Sequence, residues 1–237
     1  MNREHNVALP ARAGGEARRR YNRGVPRGPQ HDGSDAAALW DRHARRYGAQ
    51  EHLEARAVDA ALRLAAPGPQ DRLVDLACGT GVLLRALAGR PGRPASVVGV
   101  DRSTGMLGRV GQLPPGWRTL KADARSVPLA DGCADVVTCG YLLHLLGPDD
   151  RAAVLREARR LLASGVTSRL VVVSVWPGRR LLRAAFRALA TRRPAELGGL
   201  LPLDPSADLR RAGFAVTDRV QLSRGGYPSV VLRATPS

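Results

Sequence analysis

The sequence predicts a single α/β domain with a mostly parallel seven-stranded sheet, helices on both faces and a C-terminal antiparallel hairpin. Three observations lead to this prediction. The chain has 237 residues, of which 44% are hydrophobic, and this is enough for one sizeable core. From residue 72 onward, short apolar runs alternate with segments of helical periodicity, as in the crossover units of a parallel sheet. The last two apolar runs flank a Gly-Gly turn, which is typical of an antiparallel hairpin.

The chain ahead of the first strand divides into two parts. Residues 1–34 are rich in Arg, Gly and Pro and have little apolar surface to bury, so we expect a disordered basic tail. Residues 35–66 show helical periodicity in two runs, which end at a Pro-Gly-Pro stop. Trp40, Ala44 and Tyr47 share one face of the first helix and could pack over the mouth of the sheet. We therefore assign the domain to residues 35–237, with residues 35–66 as N-terminal lid helices.

The remaining elements follow from apolar runs and turn residues. The expected strands are Arg72–Leu76, Ser96–Asp101, a run ending near Lys121, Ala134–Cys139, Leu170–Val175, Phe214–Leu222 and Ser229–Ala234. The expected helices are Val82–Ala88, Ser103–Val110, one with Asp149 as N-cap and Gly165 as its stop, and an arginine-rich helix through residues 181–189.

The composition restricts the location and the partners. The formal net charge is +16, which raises the question of polyanion binding. Lys121 is the only lysine, and the arginines are scattered without interleaved aromatic residues, so a solvated basic surface is favoured over a nucleic-acid site. Apolar stretches are shorter than the roughly 20 residues of a membrane-spanning helix, and the start lacks an apolar signal core, so we expect a cytoplasmic protein without a membrane partner. The three cysteines lack metal-ligand spacing, so no metal site is expected.

A glycine-containing loop and an acidic residue predict a ribose-containing ligand. The loop Asp75–Gly81 follows the first strand, and Asp101 ends the second strand 20 residues after Gly81. Such glycines let a ligand approach the backbone, and an acid at that strand end can accept hydrogen bonds from both ribose hydroxyls. A dinucleotide would require glycine at Leu84, and Asp75 would repel a pyrophosphate but suit an ammonium group. S-adenosylmethionine is therefore the favoured ligand.

At these motifs the chain resembles the class I, Rossmann-like methyltransferases of the ubiquinone and menaquinone biosynthesis type. The resemblance runs from about Trp40 to Val175. The motifs that carry it are Trp40-Asp41-Arg42-His43-Ala44-Arg45-Arg46-Tyr47, Asp75-Leu76-Ala77-Cys78-Gly79-Thr80-Gly81, Gly99–Leu107, Lys121-Ala122-Asp123-Ala124, Val127-Pro128-Leu129 and Asp135-Val136-Val137. One departure is Ala77, where many members of the family have glycine.

The resemblance implies an enzyme that transfers a methyl group from S-adenosylmethionine to a small-molecule acceptor. It assigns the methionine end of the cofactor to the loop after the first strand, the ribose to Asp101 and the adenine edge to Asp123 with the Ala124 backbone. Met106 would pack on the adenine ring. The full set of implied cofactor-binding residues is Tyr47, Asp75, Ala77, Cys78, Gly79, Gly81, Asp101, Arg102, Met106, Asp123, Ala124 and Cys139.

The acceptor side and the substrate class leave alternatives open. Tyr141 and His144 follow the fourth strand and are the candidate catalytic residues, although Tyr141 could pack in the core and His144 could be structural. A general base is needed only for a poorly ionised hydroxyl or a carbon acid. The sequence Cys139-Gly140-Tyr141-Leu142 differs from the Asn/Asp/Ser-Pro-Pro-aromatic motif of DNA amino-methyltransferases. An RNA or protein methyltransferase that uses the basic surface is the alternative function, and a non-catalytic cofactor-binding domain is the third.

Overall fold

A computed structural model describes residues 40–41, 48–176, 202–224 and 227–237 of the chain. Several predictions lie outside these residues: the basic tail 1–34, the position of Tyr47, the arginine-rich helix through residues 181–189 and the Gly-Gly turn at 225–226. The described residues confirm the predicted α/β fold with a seven-stranded sheet.

The seven strands form one sheet in the order β3-β2-β1-β4-β5-β7-β6. Their bounds are β1 Arg72–Leu76, β2 Ser96–Asp101, β3 Trp117–Lys121, β4 Val136–Gly140, β5 Arg169–Val175, β6 Phe214–Arg224 and β7 Tyr227–Pro236. Strands β1 to β5 are parallel, and β7 lies antiparallel to both β5 and β6, so the predicted strand directions are confirmed. The strand order reverses at β1, whose neighbours are β2 and β4, and ligands of open α/β sheets bind in the crevice at such a point.

Helices cover both faces of the sheet. Their bounds are α1 Gly48–Ala65, α2 Val82–Ala88, α3 Thr104–Leu107, α4 Pro148–Leu161 and α5 Ser206–Arg211, with a 3-10 turn at Leu143–Leu145. Helix α1 buries small side chains, including Ala60, Ala61 and Ala65, in one core cluster with Leu84 of α2. Helix α4 buries Leu155 and its neighbours in the cluster on the opposite face. Among the described residues, no helix is long and apolar enough to cross a membrane.

The limits of α4 differ from the prediction. Gly147 is the N-cap residue and Pro148 opens the helix, so Asp149 lies in the first turn instead of capping it. Proline suits this first position because its missing N–H would have no partner within the helix. The helix ends at Leu161 and not near Gly165, because Leu162 pairs with Ala134 in an isolated parallel bridge. The backbone groups of Leu161 and Ala163 thus form hydrogen bonds with Ala134 and are not available for another helical turn.

Candidate functional site

A cavity opens at the carboxyl ends of the parallel strands, where the strand order reverses. The residues that line it are Trp40, Ala77, Gly79, Asp101, Arg102, Met106, Ala122, Asp123, Ala124, Arg125, Gly140, Tyr141, Leu142, Leu145, Leu146 and Val154. Seven of the predicted cofactor-binding residues are in this set, namely Ala77, Gly79, Asp101, Arg102, Met106, Asp123 and Ala124. The structure therefore brings together residues from three separate strand ends that the sequence predicted to share one ligand.

Five other predicted residues do not line the cavity. They are Asp75, Cys78, Gly81, Cys139 and His144. Four of them have buried side chains: Asp75, Cys78, Cys139 and His144. Burial raises the pKa of both thiols, Cys78 and Cys139, which keeps them protonated. The position of Tyr47 is outside the described residues.

Asp101 connects the two loops that border the cavity. Its Oδ2 accepts the backbone N–H of Gly79 at 2.9 Å, and its Oδ1 accepts the backbone N–H of Ser103 at 2.9 Å. Burial raises the pKa of this carboxyl, while the backbone N–H groups oppose that shift. The backbone N–H of Arg102 also acts on this carboxyl, and a carboxylate has about four acceptor positions, so Asp101 keeps acceptor capacity for a ligand.

The loop after β1 turns sharply into α2 through residues with positive φ. Gly81 has φ +80°, and a Cβ at this position would lie 2.9 Å from Cγ1 of Val110. Glycine is therefore required at Gly81 for both conformation and space. Ala77 also has positive φ, +58°, although its side chain makes this region unfavourable.

Asp75 lies beneath the cavity, in the middle of the sheet. Its Oδ1 accepts the hydroxyl of Thr138, 2.7 Å away on the neighbouring strand β4. Burial raises the pKa of Asp75 to about 7, and the negative charge of Asp101 acts in the same direction. The Thr138 hydroxyl partly opposes the shift. Asp75 thus changes its charge near neutral pH, and a cation in the cavity would favour its ionised form.

Asp123 is bound by an arginine that the sequence did not single out. The Oδ1 of Asp123 accepts the backbone N–H and the Nε–H of Arg125 at 2.9 and 3.0 Å, and Oδ2 accepts a terminal N–H of the same guanidinium at 2.6 Å. The other terminal nitrogen donates to Oδ1 of Asp150 at 2.7 Å. The Arg125 hydrogen bonds lower the pKa of Asp123, so its carboxylate stays ionised.

The two candidate catalytic residues have different environments. Tyr141 lines the cavity, has φ +54° and places its hydroxyl 2.8 Å from Oγ of Ser229. His144 is 4% exposed, and burial lowers its pKa to about 3. Within the described part of the chain, Nδ1 of His144 has no hydrogen-bond partner. The imidazole packs edge-on against the Tyr141 ring, with 6.1 Å between the ring centroids, but does not itself line the cavity. A neutral, buried imidazole behind the cavity wall favours the structural interpretation of His144 over the catalytic one.

The N-terminal segment contacts both of the loops that border the cavity. Asp41 accepts the Ser103 hydroxyl and, through Oδ1, the backbone N–H of Gly105 at 2.8 Å. Glu51 of α1 accepts the Thr80 hydroxyl at 2.8 Å, between Gly79 and Gly81 in the first loop. Trp40, beside Asp41, lines the cavity. The lid role of residues 35–66 stays a prediction, and α1 itself contributes to the core.

Sequence reasoning missed part of the cavity wall. The apolar residues Leu142, Leu145, Leu146 and Val154 line the cavity. The apolar residues that follow β4 in the sequence could have indicated this wall. Apolar side chains beyond the end of a strand are either buried in the core or line a binding site for an apolar ligand. For Arg125 no local signal exists, because its second partner Asp150 lies 25 residues away.

Comparison with known proteins identifies the fold and the family. A family described as "Methyltransferase domain" matches residues 73–165. A demethylmenaquinone methyltransferase of Mycolicibacterium vanbaalenii is 31% identical over 189 residues, which are 75% of this chain and 77% of that protein. A 2-phytyl-1,4-naphtoquinone methyltransferase of Synechococcus elongatus is 33% identical over 47% of this chain, and the match spans about half of that relative, 49%.

The solved structures agree on the fold. Magnesium protoporphyrin IX methyltransferase from Synechocystis PCC 6803, solved with bound SAH, matches with a TM-score of 0.61 at 21% identity. The match covers 84% of this chain and 94% of that one. At this identity the likeness is one of fold, and the residues of the site have to be argued from their own geometry.

Proposed function

This chain belongs to the class I S-adenosylmethionine-dependent methyltransferases, similar to those of ubiquinone and menaquinone biosynthesis. We propose, from this family membership, which residues bind the cofactor and which class of acceptor is methylated. The enzyme transfers a methyl group from S-adenosylmethionine to a small-molecule acceptor. The proposal concerns the individual contacts and the chemical class of the acceptor.

The cofactor contacts are proposed from the acceptor positions that remain open in the cavity. Asp101 lines the cavity and keeps acceptor capacity on its carboxylate, which suits the neighbouring hydroxyls of a ribose. The position of the Asp101 carboxylate at the cavity wall, bound to the N–H of Gly79, is the observation that carries the proposal. Asp123 would accept from the adenine amino group and Met106 would pack on the ring. The ionised form of Asp75 would favour the cationic methionine end from beneath the loop.

The acceptor is proposed to be a small molecule with an apolar ring, such as a reduced naphthoquinone. Leu142, Leu145 and Leu146 line the cavity beyond β4, next to Tyr141. Such a wall favours an apolar ring and offers little to a polyanion. The relatives act, by name, on demethylmenaquinone and on 2-phytyl-1,4-naphtoquinone, both of which contain a naphthoquinone ring.

The chemistry requires positioning more than proton transfer. S-adenosylmethionine supplies a methyl group that its sulfonium has already activated. The cavity walls would hold the acceptor atom in line with the breaking carbon–sulfur bond, which is an entropic contribution to the rate. The apolar residues near Leu145 would exclude water from the transfer. If a ring carbon accepts the methyl group, the ionised ring hydroxyl of a hydroquinone would activate that carbon. The methyl carbon–sulfur bond would break to leave S-adenosylhomocysteine, and the proton of the ring carbon would pass to solvent as the aromatic ring is restored.

Transfer of a labelled methyl group to a panel of acceptors tests this proposal. The panel should contain a 1,4-naphthohydroquinone, a benzohydroquinone, a catechol, a bulk protein substrate and total RNA. We expect methylation of the naphthohydroquinone, with mass spectrometry locating the methyl group on a ring atom. Transfer to RNA or protein alone would contradict the proposed acceptor and support the alternative that uses the basic surface.

A further inference from the structure

We propose that Arg125 is a positioning residue that makes the site selective for the 6-amino group of adenine. This inference rests on the proposed function, in which Asp123 faces the adenine edge. Arg125 is not part of the motifs that suggested the cofactor, yet it lines the same cavity as Asp123. Its guanidinium lies between two carboxylates, Asp123 on the loop after β3 and Asp150 in the first turn of α4.

The hydrogen bonds of Asp123 leave room for one more donor. Its Oδ1 already accepts two N–H groups of Arg125, the backbone N–H and Nε–H, and two is the capacity of that oxygen. Its Oδ2 accepts one, from a terminal nitrogen of the guanidinium at 2.6 Å, and keeps one position open. A ligand edge with a single N–H donor, such as the 6-amino group of adenine, fits this position. A 6-oxo group is itself an acceptor. Its oxygen would lie against Oδ2 of the ionised Asp123 with no hydrogen between the two oxygens, which is repulsive.

Arg125 also fixes the charge and the direction of Asp123. Its hydrogen bonds lower the pKa of Asp123, and the charge of Arg102 acts in the same direction. The bond to Asp150 holds the far side of the guanidinium at 2.7 Å, so the planar group is held at both edges. Paired, two-edged contacts of this kind constrain a guanidinium more than a single ion pair would. Without Arg125, the pKa of Asp123 would rise and its open position would no longer be held in one direction.

The test compares S-adenosylhomocysteine with its 6-oxo analogue, S-inosylhomocysteine, by calorimetric titration at pH 7.5. We expect the wild type to prefer the 6-amino compound by about tenfold or more, the size of one charge-assisted hydrogen bond. Arg125→Gln should reduce this preference several-fold, because the open position of Asp123 is then no longer held toward the 6-amino group. Arg118→Gln on β3, an exposed arginine outside the cavity, is the control and should keep the wild-type preference.

The outcomes separate the inference from the function on which it rests. A wild type without preference for the 6-amino compound would refute the adenine role of Asp123 and, with it, the role of Arg125. A wild-type preference that Arg125→Gln leaves intact, or a variant that weakens both ligands equally, would overturn the role of Arg125 alone. If Arg125→Gln does not fold, Asp150→Ala removes the outer contact of the guanidinium at a half-exposed position and should reduce the preference to a smaller extent.

Discussion

The carboxylate of Asp101 accepts the backbone N–H of Gly79 at 2.9 Å, which joins the end of β2 to the loop after β1 at the wall of the cavity. The same carboxylate accepts the N–H of Ser103, at the start of α3. Two loops that are far apart in the sequence are thereby held in one arrangement before any ligand binds. Such preorganisation lowers the entropic cost of binding a ligand that contacts both loops.

Replacement of Ala77 by glycine should stabilise the protein slightly or leave its stability unchanged. Ala77 has φ +58°, a conformation that costs an L-residue about 1–2 kcal/mol and glycine little. The greater freedom of glycine in the unfolded chain offsets about 0.5–1 kcal/mol of that gain. Thermal melting should show an unchanged or higher Tm. The exposed helical Ala86→Gly should lower the Tm as the matched control, and an equal loss in both variants would argue against strain at Ala77.

Asp75→Asn should stabilise the cofactor-free protein above pH 7. The folded-state pKa of Asp75 is about 7 against the ordinary 3.8, so the folded state holds a proton that the unfolded state has lost. The contribution of Asp75 to the free energy of unfolding is therefore largest below pH 4. It declines as the pH rises from 4 to 7, by up to about 4 kcal/mol in total. Melting curves at pH 5 and pH 8 should show a Tm advantage of the variant that grows with pH. A Tm difference independent of pH would show that Asp75 does not titrate as described.

The same substitution should alter the pH dependence of cofactor binding. The ionised Asp75 favours a cationic ligand, so wild-type affinity for S-adenosylmethionine should fall from pH 7.5 to pH 5.5, by at most about tenfold per pH unit. In Asp75→Asn the affinity should be weaker at pH 7.5 and less dependent on pH. Calorimetric titration of both proteins measures this, and identical pH profiles would exclude a role of Asp75 at the methionine end.

Asp41→Ala should reduce methyl transfer more than it reduces stability. Asp41 is exposed and joins the N-terminal segment to the loop after β2 through Ser103 and Gly105. At Gly105 a Cβ would lie 3.1 Å from Cα of Asp41, which indicates close contact. Helix α1 belongs to the core, so truncation within it would unfold the protein. Point variants therefore distinguish a lid role from a core-packing role better than truncation does.

For this variant we expect a turnover lower by several-fold to about tenfold, with a Tm within about 2 °C of the wild type. Asp59→Ala, which removes an exposed carboxylate of α1, is the control and should leave turnover unchanged. A truncated protein that lacks residues 1–34 should also keep wild-type Tm and affinity. If Asp41→Ala loses activity only in proportion to its loss of folded protein, the lid prediction is wrong.

His144→Leu should retain wild-type turnover. The imidazole is buried, neutral at physiological pH and without a partner for Nδ1 among the described residues. Leucine replaces it without burying another polar atom, so the free energy of unfolding should be equal or larger. Loss of a general base would instead lower turnover by about a hundredfold or more. A stable His144→Leu protein with such a loss would restore His144 as the catalytic base.

Much of the fold could be predicted because local patterns determine it. The bounds of β1 and β2 agree with the prediction residue for residue, since each is an apolar run between turn residues. Helix α5 was not predicted, because its six residues bury only Leu209 among apolar side chains and are too short for a helical period. The C-terminal end of α4 is set by the bridge between Leu162 and Ala134, which are distant in the sequence. A local sequence pattern cannot predict such a contact.

The candidate site was predictable where strand ends determine it. Asp101 and Asp123 lie at or just after the carboxyl ends of β2 and β3, and parallel strands bring such ends to one edge of the sheet. The motifs alone did not show which of their residues line the cavity and which are buried behind it. Asp75 and Cys139 are buried within β1 and β4, because helices cover both faces of these parallel strands and leave neither face open to the cavity.

Calorimetric titration of S-adenosylmethionine into the wild type and Asp101→Ala tests the central claim most directly. We predict measurable binding to the wild type and an affinity at least about tenfold to hundredfold weaker in the variant, because the charge-assisted hydrogen bonds to the ribose are lost. Asp101→Asn, which keeps the shape and one acceptor oxygen, should fall between the two. A folded Asp101→Ala protein, verified by thermal melting, that binds S-adenosylmethionine as tightly as the wild type would contradict the account.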